Sequence, residues 1–467
     1  MEKSKDLGQQ RKFNLFESFK NACVNLVQRY LPDPFLFCIM ITFVIFISGI
    51  IFTGQGPMDM VKHWSGGFWS LLAFSMQMAL VLVFGQTMAN APAIKKGLNT
   101  LAKIPKNATQ AILMVTLIST IACLINWGFG LVIGAIFAKE LAKEVDDVDY
   151  RLLIAAAYSG FMVWHAGLSG SIPLTLASGG EAVVSASAGV IGEAGIPISE
   201  TIFSLSNLVI VGILVVTLPI LNIFMHPRKD EIVSIDRELL KDEDDFVEME
   251  RSKMTPADKL ENSKLVTMLI SLMGFAYIIY FFIENGFNLN LDIVNFIFLF
   301  SGIALHKTPK RFIHELGKAA KASGSIMLQF PFYAGIIGMM TGANAEGISI
   351  AVLISNFFVQ IATNVTFPLF SFLSAGIVNF FVPSGGAQWA VQAPIMMPSG
   401  AALGVEPAKT AMSIAWGDAW TNMIQPFWAL PALGIAGLGA KDIMGYCLID
   451  LLYSGVIIGL GLMFIGM

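Results

Sequence analysis

The sequence predicts an all-α polytopic membrane protein, with about nine spanning helices plus two re-entrant hairpins arranged as two inverted repeats. Three observations carry this. Hydrophobic residues make up 55% of the 467 positions and charged residues only 13%, where a soluble domain carries about 25% charge. The charge is also uneven: 10 of the 62 charged side chains fall between Met1 and Asp33, and 20 between His226 and Lys264. Between these islands run apolar stretches of crossing length, about 20 residues each. Length alone would suggest three soluble domains at ~150 residues apiece, but so little polar surface cannot face water.

Nine segments qualify as crossings: 34–53, 67–92, 151–178, 201–225, 265–284, 289–305, 320–342, 409–437 and 443–466. The first is too long for a signal-peptide core and reads as a retained helix. Two further stretches, 108–138 and 365–398, are broken at Asn126-Trp127-Gly128-Phe129-Gly130 and at Val382-Pro383-Ser384-Gly385-Gly386. Gly and Pro clusters of that density end a helix. At ~15 residues, or ~22 Å of helix, each limb is short for a crossing, so re-entrant hairpins are expected.

Loop charges set the orientation. Lys3, Lys5, Arg11, Lys12, Lys20 and Arg29 mark 1–33 as a cytoplasmic N-terminal segment. Lys95, Lys96, Lys103 and Lys106, and then Lys139, Lys143 and Arg151, flank 108–138 on the inside. The loop 179–200 has no Lys or Arg and lies outside, whereas 226–264 carries eight and lies inside. The chain thus divides into a first transmembrane repeat (34–225), a charged cytoplasmic loop and a second repeat (265–467). If 347–362 lies along the membrane surface, the C-terminus is outside.

The halves echo each other. Gln77 matches Gln329, Asn107 matches Asn364, and Asn126-Trp127 matches Asn379-Phe380. Tyr158 matches Trp416, and Pro173 matches Pro431, with offsets of 252, 257, 253, 258 and 258 across the five. The extra crossing at 265–284 inverts the second half. Inverted repeats with discontinuous helices are the architecture of secondary transporters, which bind substrate near the midplane between repeats.

Helix ends at membrane depth must be buried in protein or line a cavity, and half-helix N-termini attract anions. The candidate substrate residues are therefore Asn126, Trp127, Gly128 and Gly130 at the first break, and Asn379, Ser384, Gly385 and Gly386 at the second. Asp418 lies mid-span in Ser413–Pro426, with Asn422 and Gln425 on the same helical face. An acid there holds a proton, or holds Na⁺ when ionised. These three are the candidate coupling-ion residues, with co-transported H⁺ or Na⁺ in place of any cofactor. Asp450 is a second buried acid, nearer a helix start.

No Lys or Arg lies deep in a span, which suits a small monocarboxylate better than a phosphate or dicarboxylate. Trp127, Trp164, Trp389, Trp416 and Trp420 are available to line an apolar pocket, although each alone is more often a packing residue. His165 is the only histidine inside a span. It could relay a proton, and a lone histidine is more often a hydrogen-bonded structural residue.

Other classes are disfavoured. A net charge of -4 leaves no basic face for nucleic acid. Cys23, Cys38, Cys123 and Cys447 form no C-x-x-C pair, so neither a disulfide framework nor a metal site is indicated. Gly167-Leu168-Ser169-Gly170 fits the G-x-S-G pattern of intramembrane serine proteases, but His63, His226, His306 and His314 all fall in loops and no base faces that serine.

Several strings carry a family resemblance: Leu31-Pro-Asp-Pro-Phe, Gly67-Phe-Trp-Ser-Leu-Leu-Ala-Phe-Ser-Met-Gln-Met-Ala-Leu, Ile125-Asn-Trp-Gly-Phe-Gly-Leu-Val, Gln329-Phe-Pro-Phe-Tyr-Ala-Gly, Val382-Pro-Ser-Gly-Gly, Gln425-Pro-Phe-Trp-Ala-Leu-Pro-Ala-Leu and the loop motif Val233-Ser-Ile-Asp. Over essentially the whole chain it resembles the AtoE-type short-chain fatty acid transporters of bacteria. The resemblance implies ion-coupled uptake of butyrate- or acetoacetate-like substrates through the cell membrane. The hairpins and the broken helices 151–178 and 409–437 would form a transport domain moving elevator-like against a scaffold, and analogy with related carriers allows a homodimer through that scaffold. The rival reading is a passive channel for the same anions, which would not show saturation and counterflow.

Overall fold

The computed structural model describes residues 15–30, 32–234, 250, 254–286 and 291–466, and all regular structure among them is helical. Much of the expected basic N-terminal segment (1–14), Leu31 of the first family string, most of the charged loop (235–249 and 251–253, with Ile235 and Asp236 of its motif) and the start of the 289–305 span lie outside the described residues.

In chain order the helices are α1 (Leu15–Tyr30), α2 (Pro34–Thr53), α3 (Pro57–Gly67), α4 (Leu72–Ala89), α5 (Pro92–Ala102), α6 (Ala108–Ile125), α7 (Trp127–Glu144), α8 (Tyr150–Ser159), α9 (Ser171–Ser178), α10 (Glu181–Ala186) and α11 (Leu205–Phe224). A 3₁₀ segment, Gly160–Ala166, continues α8. There follow α12 (Pro256–Glu261), α13 (Lys264–Asn285), α14 (Leu291–His306), α15 (Pro309–Ala320), α16 (Gly324–Thr341), α17 (Ile350–Gln360), α18 (Phe367–Phe381), α19 (Gly385–Ala402), α20 (Pro407–Thr421), α21 (Pro426–Ala436) and α22 (Ala440–Phe464). Six stretches of the described residues are long and apolar enough to cross a bilayer: Phe35–Thr53, Ala108–Ile125, Tyr150–Ser178, Leu205–Phe224, Lys264–Asn285 and Ala440–Phe464.

Local chemistry sets the ends. The Asp33 carboxylate accepts the Phe35 N–H at 2.9 Å ahead of Pro34, and Gly54 closes α2 at φ 66°. Asn107 caps α6 through the Gln110 N–H at 2.9 Å, and Asp149 caps α8 through the Leu152 N–H at 2.9 Å.

Both halves contain a helical hairpin followed by a helix that stops and restarts. The first hairpin departs from expectation. Its break is the single residue Asn126, which ends α6 and caps α7, while Gly128 and Gly130 lie inside α7. Gly130 serves close packing instead: a Cβ there would sit 2.6 Å from the Cys123 backbone nitrogen on the opposite limb. The limbs are 18 residues each, or ~27 Å, longer than the ~15-residue limbs expected because α7 runs on to Glu144. In the second hairpin the break is Val382–Ser384. Pro383 pushes the residue before it out of helical geometry, and Val382 adopts φ -123°, ψ 65°. Helix α17 covers most of the segment expected at the membrane surface. Its 11 residues, ~16 Å long, pack against α18 and α19, and Gln392 donates to the Ser355 hydroxyl at 3.2 Å.

The core is built on the hairpins and broken helices. Every residue from Leu152 to Gly167 is buried, and so are most of α20 and α21, whereas α2 and α13 present rows of Leu, Ile, Met and Phe outward, as lipid-facing helices do. Helices α2, α3, α4 and α16 pack together on one flank. The α3–α16 contact is backbone to backbone: a Cβ on Gly67 would lie 2.6 Å from the Ala334 carbonyl, and one on Gly338 would lie 3.0 Å from the Gly67 Cα. Gly338→Val should therefore destabilise the fold by about 1–3 kcal/mol, the usual cost of overpacking. Thermal unfolding in detergent should show a lower melting temperature than wild type; an unchanged midpoint would contradict this packing.

Candidate functional site

Each broken helix is stitched to the hairpin of its own half. In the first, Gly160 lies against the Thr120 backbone, where a Cβ would meet the nitrogen at 2.6 Å, and Gly167 lies against Leu124, whose Cα a Cβ would meet at 2.7 Å. The interrupted turn Gly167–Gly170 then bonds to the hairpin tip: the Leu168 N–H donates to the Leu124 carbonyl at 2.7 Å, and the Trp127 N–H donates to the Ser169 hydroxyl at 3.0 Å. The Asn126 side-chain oxygen accepts the Phe129 N–H at 2.9 Å. The Trp127 and Phe129 N–H groups of the first turn of α7 are thus committed within the protein.

In the second half, Gly417 abuts α18, where a Cβ would lie 2.5 Å from the Ala375 Cβ. The Asn379 amide donates to the Asp418 carbonyl (2.7 Å), the Thr421 hydroxyl (3.0 Å) and the Asn422 side-chain oxygen (2.7 Å). Asn379 therefore joins the Asp418–Asn422 segment rather than the hairpin tip, three residues before the break. Gln425 is spent on the restart of the helix: its oxygen accepts the Phe427 N–H at 2.6 Å and its amide donates to the Phe380 carbonyl at 3.2 Å. Pro426 at the first position of α21 explains why the helix reopens there.

The two broken helices meet at their breaks. His165 Nδ1 lies 3.1 Å from Asp418 Oδ1, with the side chains 0% and 1% exposed. That is an ion-pair distance, off the line of a well-aligned hydrogen bond, and neither Asp418 oxygen has another donor among the described residues. On its far edge, His165 Nε2 accepts the Ile172 N–H at 3.1 Å and lies 3.0 Å from the Ser171 hydroxyl. A neutral imidazole whose Nε2 accepts carries its proton on Nδ1, so the N–H is assigned to the edge facing Asp418. Two cross-links flank the pair. The Tyr158 hydroxyl donates to the Asn422 carbonyl at 2.6 Å. Trp416 Nε1 donates to Asn207 at 3.1 Å, and the Asn207 amide donates to the Ala166 carbonyl at 3.2 Å.

The second hairpin reaches the same histidine. A Cβ on Gly385 would meet the Ser171 hydroxyl oxygen and would lie 2.6 Å from His165 Cε1 and 2.9 Å from Nε2. Ser384 is half-buried, its side chain making no capping bond, and Gly386 is exposed with open space around it. Trp164 stacks on His165, centroids 3.9 Å apart at 17°, and on Phe161 at 5.6 Å. Trp127 meets Trp164 at 5.9 Å and Trp428 at 5.2 Å. This aromatic wall brings together Trp127 and Trp164 of the expected five. Trp416 instead faces Asn207, Trp420 donates to the Leu451 carbonyl at 2.7 Å, and Trp389 is buried in α19.

Of the expected substrate residues, Asn126, Trp127, Ser384 and Gly385 lie where the hairpins approach the broken helices. Gly130 packs within its hairpin, and Gly128 is buried in α7. His165, Ser169, Ser171, Tyr158, Asn207 and Trp428 belong to the site but stand apart from it in the sequence. His165 has a signal as the histidine inside a span, Tyr158 as a repeat match, Ser169 in Gly167-Leu168-Ser169-Gly170 and Trp428 in the string Gln425-Pro-Phe-Trp, whereas Ser171 and Asn207 have none.

Residues 15–465 match the family described as short chain fatty acid transporter. The chain is 45% identical over 436 residues to a provisionally named short-chain fatty acid transporter of Escherichia coli (strain K12), covering 93% of this chain and 97% of that one. A protein of the same name from Haemophilus influenzae (strain ATCC 51907 / DSM 11121 / KW20 / Rd) is 44% identical over 440 residues, covering 94% and 97%. Among solved structures, the YdaH transporter of Alcanivorax borkumensis aligns with a TM-score of 0.41 and 15% identity over 92% of this chain and 98% of that one. With near-complete coverage at this level of identity, the chain belongs to the short-chain fatty acid transporter family, a family of membrane transporters rather than enzymes.

Proposed function

We propose that the protein imports small monocarboxylates such as butyrate or acetoacetate across the cell membrane by proton symport, with its N-terminus cytoplasmic and its C-terminus outside. The observation that carries this reading is the buried His165–Asp418 pair, where the two broken helices meet. With a neutral imidazole and an ionised carboxylate the pair holds one negative charge; one added proton neutralises it. A second, substrate-borne negative charge entering the same region is costly unless a cation arrives with it. The proton and the fatty acid carboxylate are therefore taken up together.

The carboxylate is held where the hairpins approach the broken helices, at Asn126, Ser384 and Gly385, with the alkyl tail against Trp127, Trp164 and Trp428. Asp418 carries the coupling ion, Asn422 lies beside it, and Gln425 fixes the break. The hairpins and broken helices move as one elevator-like unit, in keeping with their internal hydrogen bonds and glycine contacts. Toward α14 and α16 the unit presents ring contacts such as Phe129–Phe298 at 5.9 Å and Phe330–Phe427 at 4.0 Å, whereas α11 and α22 are tied to it by polar bonds through Asn207, Asn222 and Leu451. The matched positions Tyr158 and Trp416 each bond toward the other half's break, the latter through Asn207, in keeping with an inverted repeat.

Radiolabelled butyrate uptake into proteoliposomes, measured above the leak of protein-free liposomes, should rise with an inward proton gradient and not with a Na⁺ gradient. A Na⁺ response alone would move the coupling to sodium, and saturation without any gradient response would leave only facilitated diffusion. Asp418→Asn should reduce accumulation to the equilibrium level while substrate counterflow persists; full coupled uptake in this variant would remove Asp418 from the ion site.

His165→Leu removes the N–H that faces Asp418 and should cost about 1–3 kcal/mol of stability. Combining it with Asp418→Asn should restore part of that, giving a coupling energy of about 0.5–3 kcal/mol in thermal unfolding. Strict additivity would show that the pair is not formed. Gly385→Val drives a side chain into Ser171 and His165, so the KM for butyrate should rise at least ~10-fold, the equivalent of about 1.4 kcal/mol; an unchanged KM would place the substrate elsewhere.

A further inference from the structure

Asp450, in the middle of α22, takes no part in the site described above. It is 0% exposed, and neither carboxylate oxygen has a hydrogen-bond partner among the described residues. Arg151, Lys229 and Lys310 pair with other acids, and none of the ion pairs found among the described residues includes Asp450. An ionised carboxylate in such surroundings is far more costly than a neutral acid. Both carboxyl oxygens are buried without a partner among the described residues in this conformation. Buried polar groups left in that state are rare and concentrate at sites that work.

Its neighbourhood leads back to the coupling site. Cys447 lies one turn earlier on α22, and α22 packs along α8, which carries Tyr158. The Tyr158 hydroxyl bonds the carbonyl of Asn422, one turn from Asp418. The residue after Asp450, Leu451, accepts the Trp420 indole N–H at 2.7 Å, and Gly455 underlies that indole, where a Cβ would lie 2.8 Å from Cζ2. Helix α22 is thus keyed to α20 close to Asp418.

We propose that Asp450 is a second proton-binding site of this transporter, loaded in the present conformation and unloaded at another stage of the cycle. On unloading, the carboxyl O–H bond breaks, the proton passes to water on the side to which the Asn422 break opens, and the carboxylate remains. The inference rests on the proton-symport reading and adds one proton per cycle to the one held by His165 and Asp418.

The test uses the full chain in proteoliposomes. The proton-to-butyrate ratio is obtained by balancing a butyrate gradient against imposed pH gradients and membrane potentials. Asp450→Asn should lower the ratio by one while counterflow continues. By infrared difference spectroscopy, wild type should show the carbonyl stretch of a protonated carboxylic acid that changes on butyrate addition and is missing in Asp450→Asn. Asp450→Glu, which keeps the acid, should retain the ratio and shift the band, and it serves if the Asn variant does not fold. A coupled wild type with an unchanged ratio in Asp450→Asn, or an Asp450 band absent or indifferent to butyrate, would overturn the proposal. A wild type without proton-coupled uptake would overturn the symport reading itself.

Discussion

A helix that stops inside an apolar core leaves unpaired N–H and carbonyl groups that only the protein can satisfy. This chain does so twice, at Gly167–Gly170 and at Asn422–Gln425, and much of its inner architecture answers that requirement. The hairpins are placed where their limbs and tips supply the missing partners: Leu124 and Ser169 join the first hairpin to the first break, and Asn379 and Phe380 join the second hairpin to the second. Once both breaks are pinned, their side chains are brought face to face, and His165 meets Asp418 at 3.1 Å.

The hairpins and broken helices form a tightly packed inner layer. Within it, glycine at 160, 167 and 417 lets backbones approach to distances that a Cβ would forbid, and each approach is accompanied by polar bonds whose loss would strand a buried group. Toward α14 and α16 its contacts include aromatic rings, which hold by area and not by direction. Toward α5, Asn99 donates to Glu144 at 2.9 Å, a polar tie that a sliding motion must exchange.

The sequence reveals those features that depend on local chemistry. Pro383 and Pro426 mark the two breaks of the second half because proline acts on its own neighbours, and Asp418 stands out because an acid in an apolar run is conspicuous wherever the chain folds. Gly130 misleads, since a glycine that permits close packing looks the same as one that ends a helix; the break belongs to Asn126, whose side chain caps the next helix. The partnership of His165 with Asp418 is invisible along the chain because it joins the two halves. For the same reason Asn379 reads as a tip residue until the fold shows its amide on Asp418, Thr421 and Asn422.

The central claim is that a fatty acid carboxylate and a proton cross together through the site where the broken helices meet. It is tested most directly by adding acetoacetate to proteoliposomes in a lightly buffered medium, with no imposed gradient, and recording the external pH. Wild type should make the medium more alkaline, faster than protein-free liposomes and with saturation in acetoacetate. Saturable acetoacetate entry without alkalinisation beyond the protein-free rate would contradict the account.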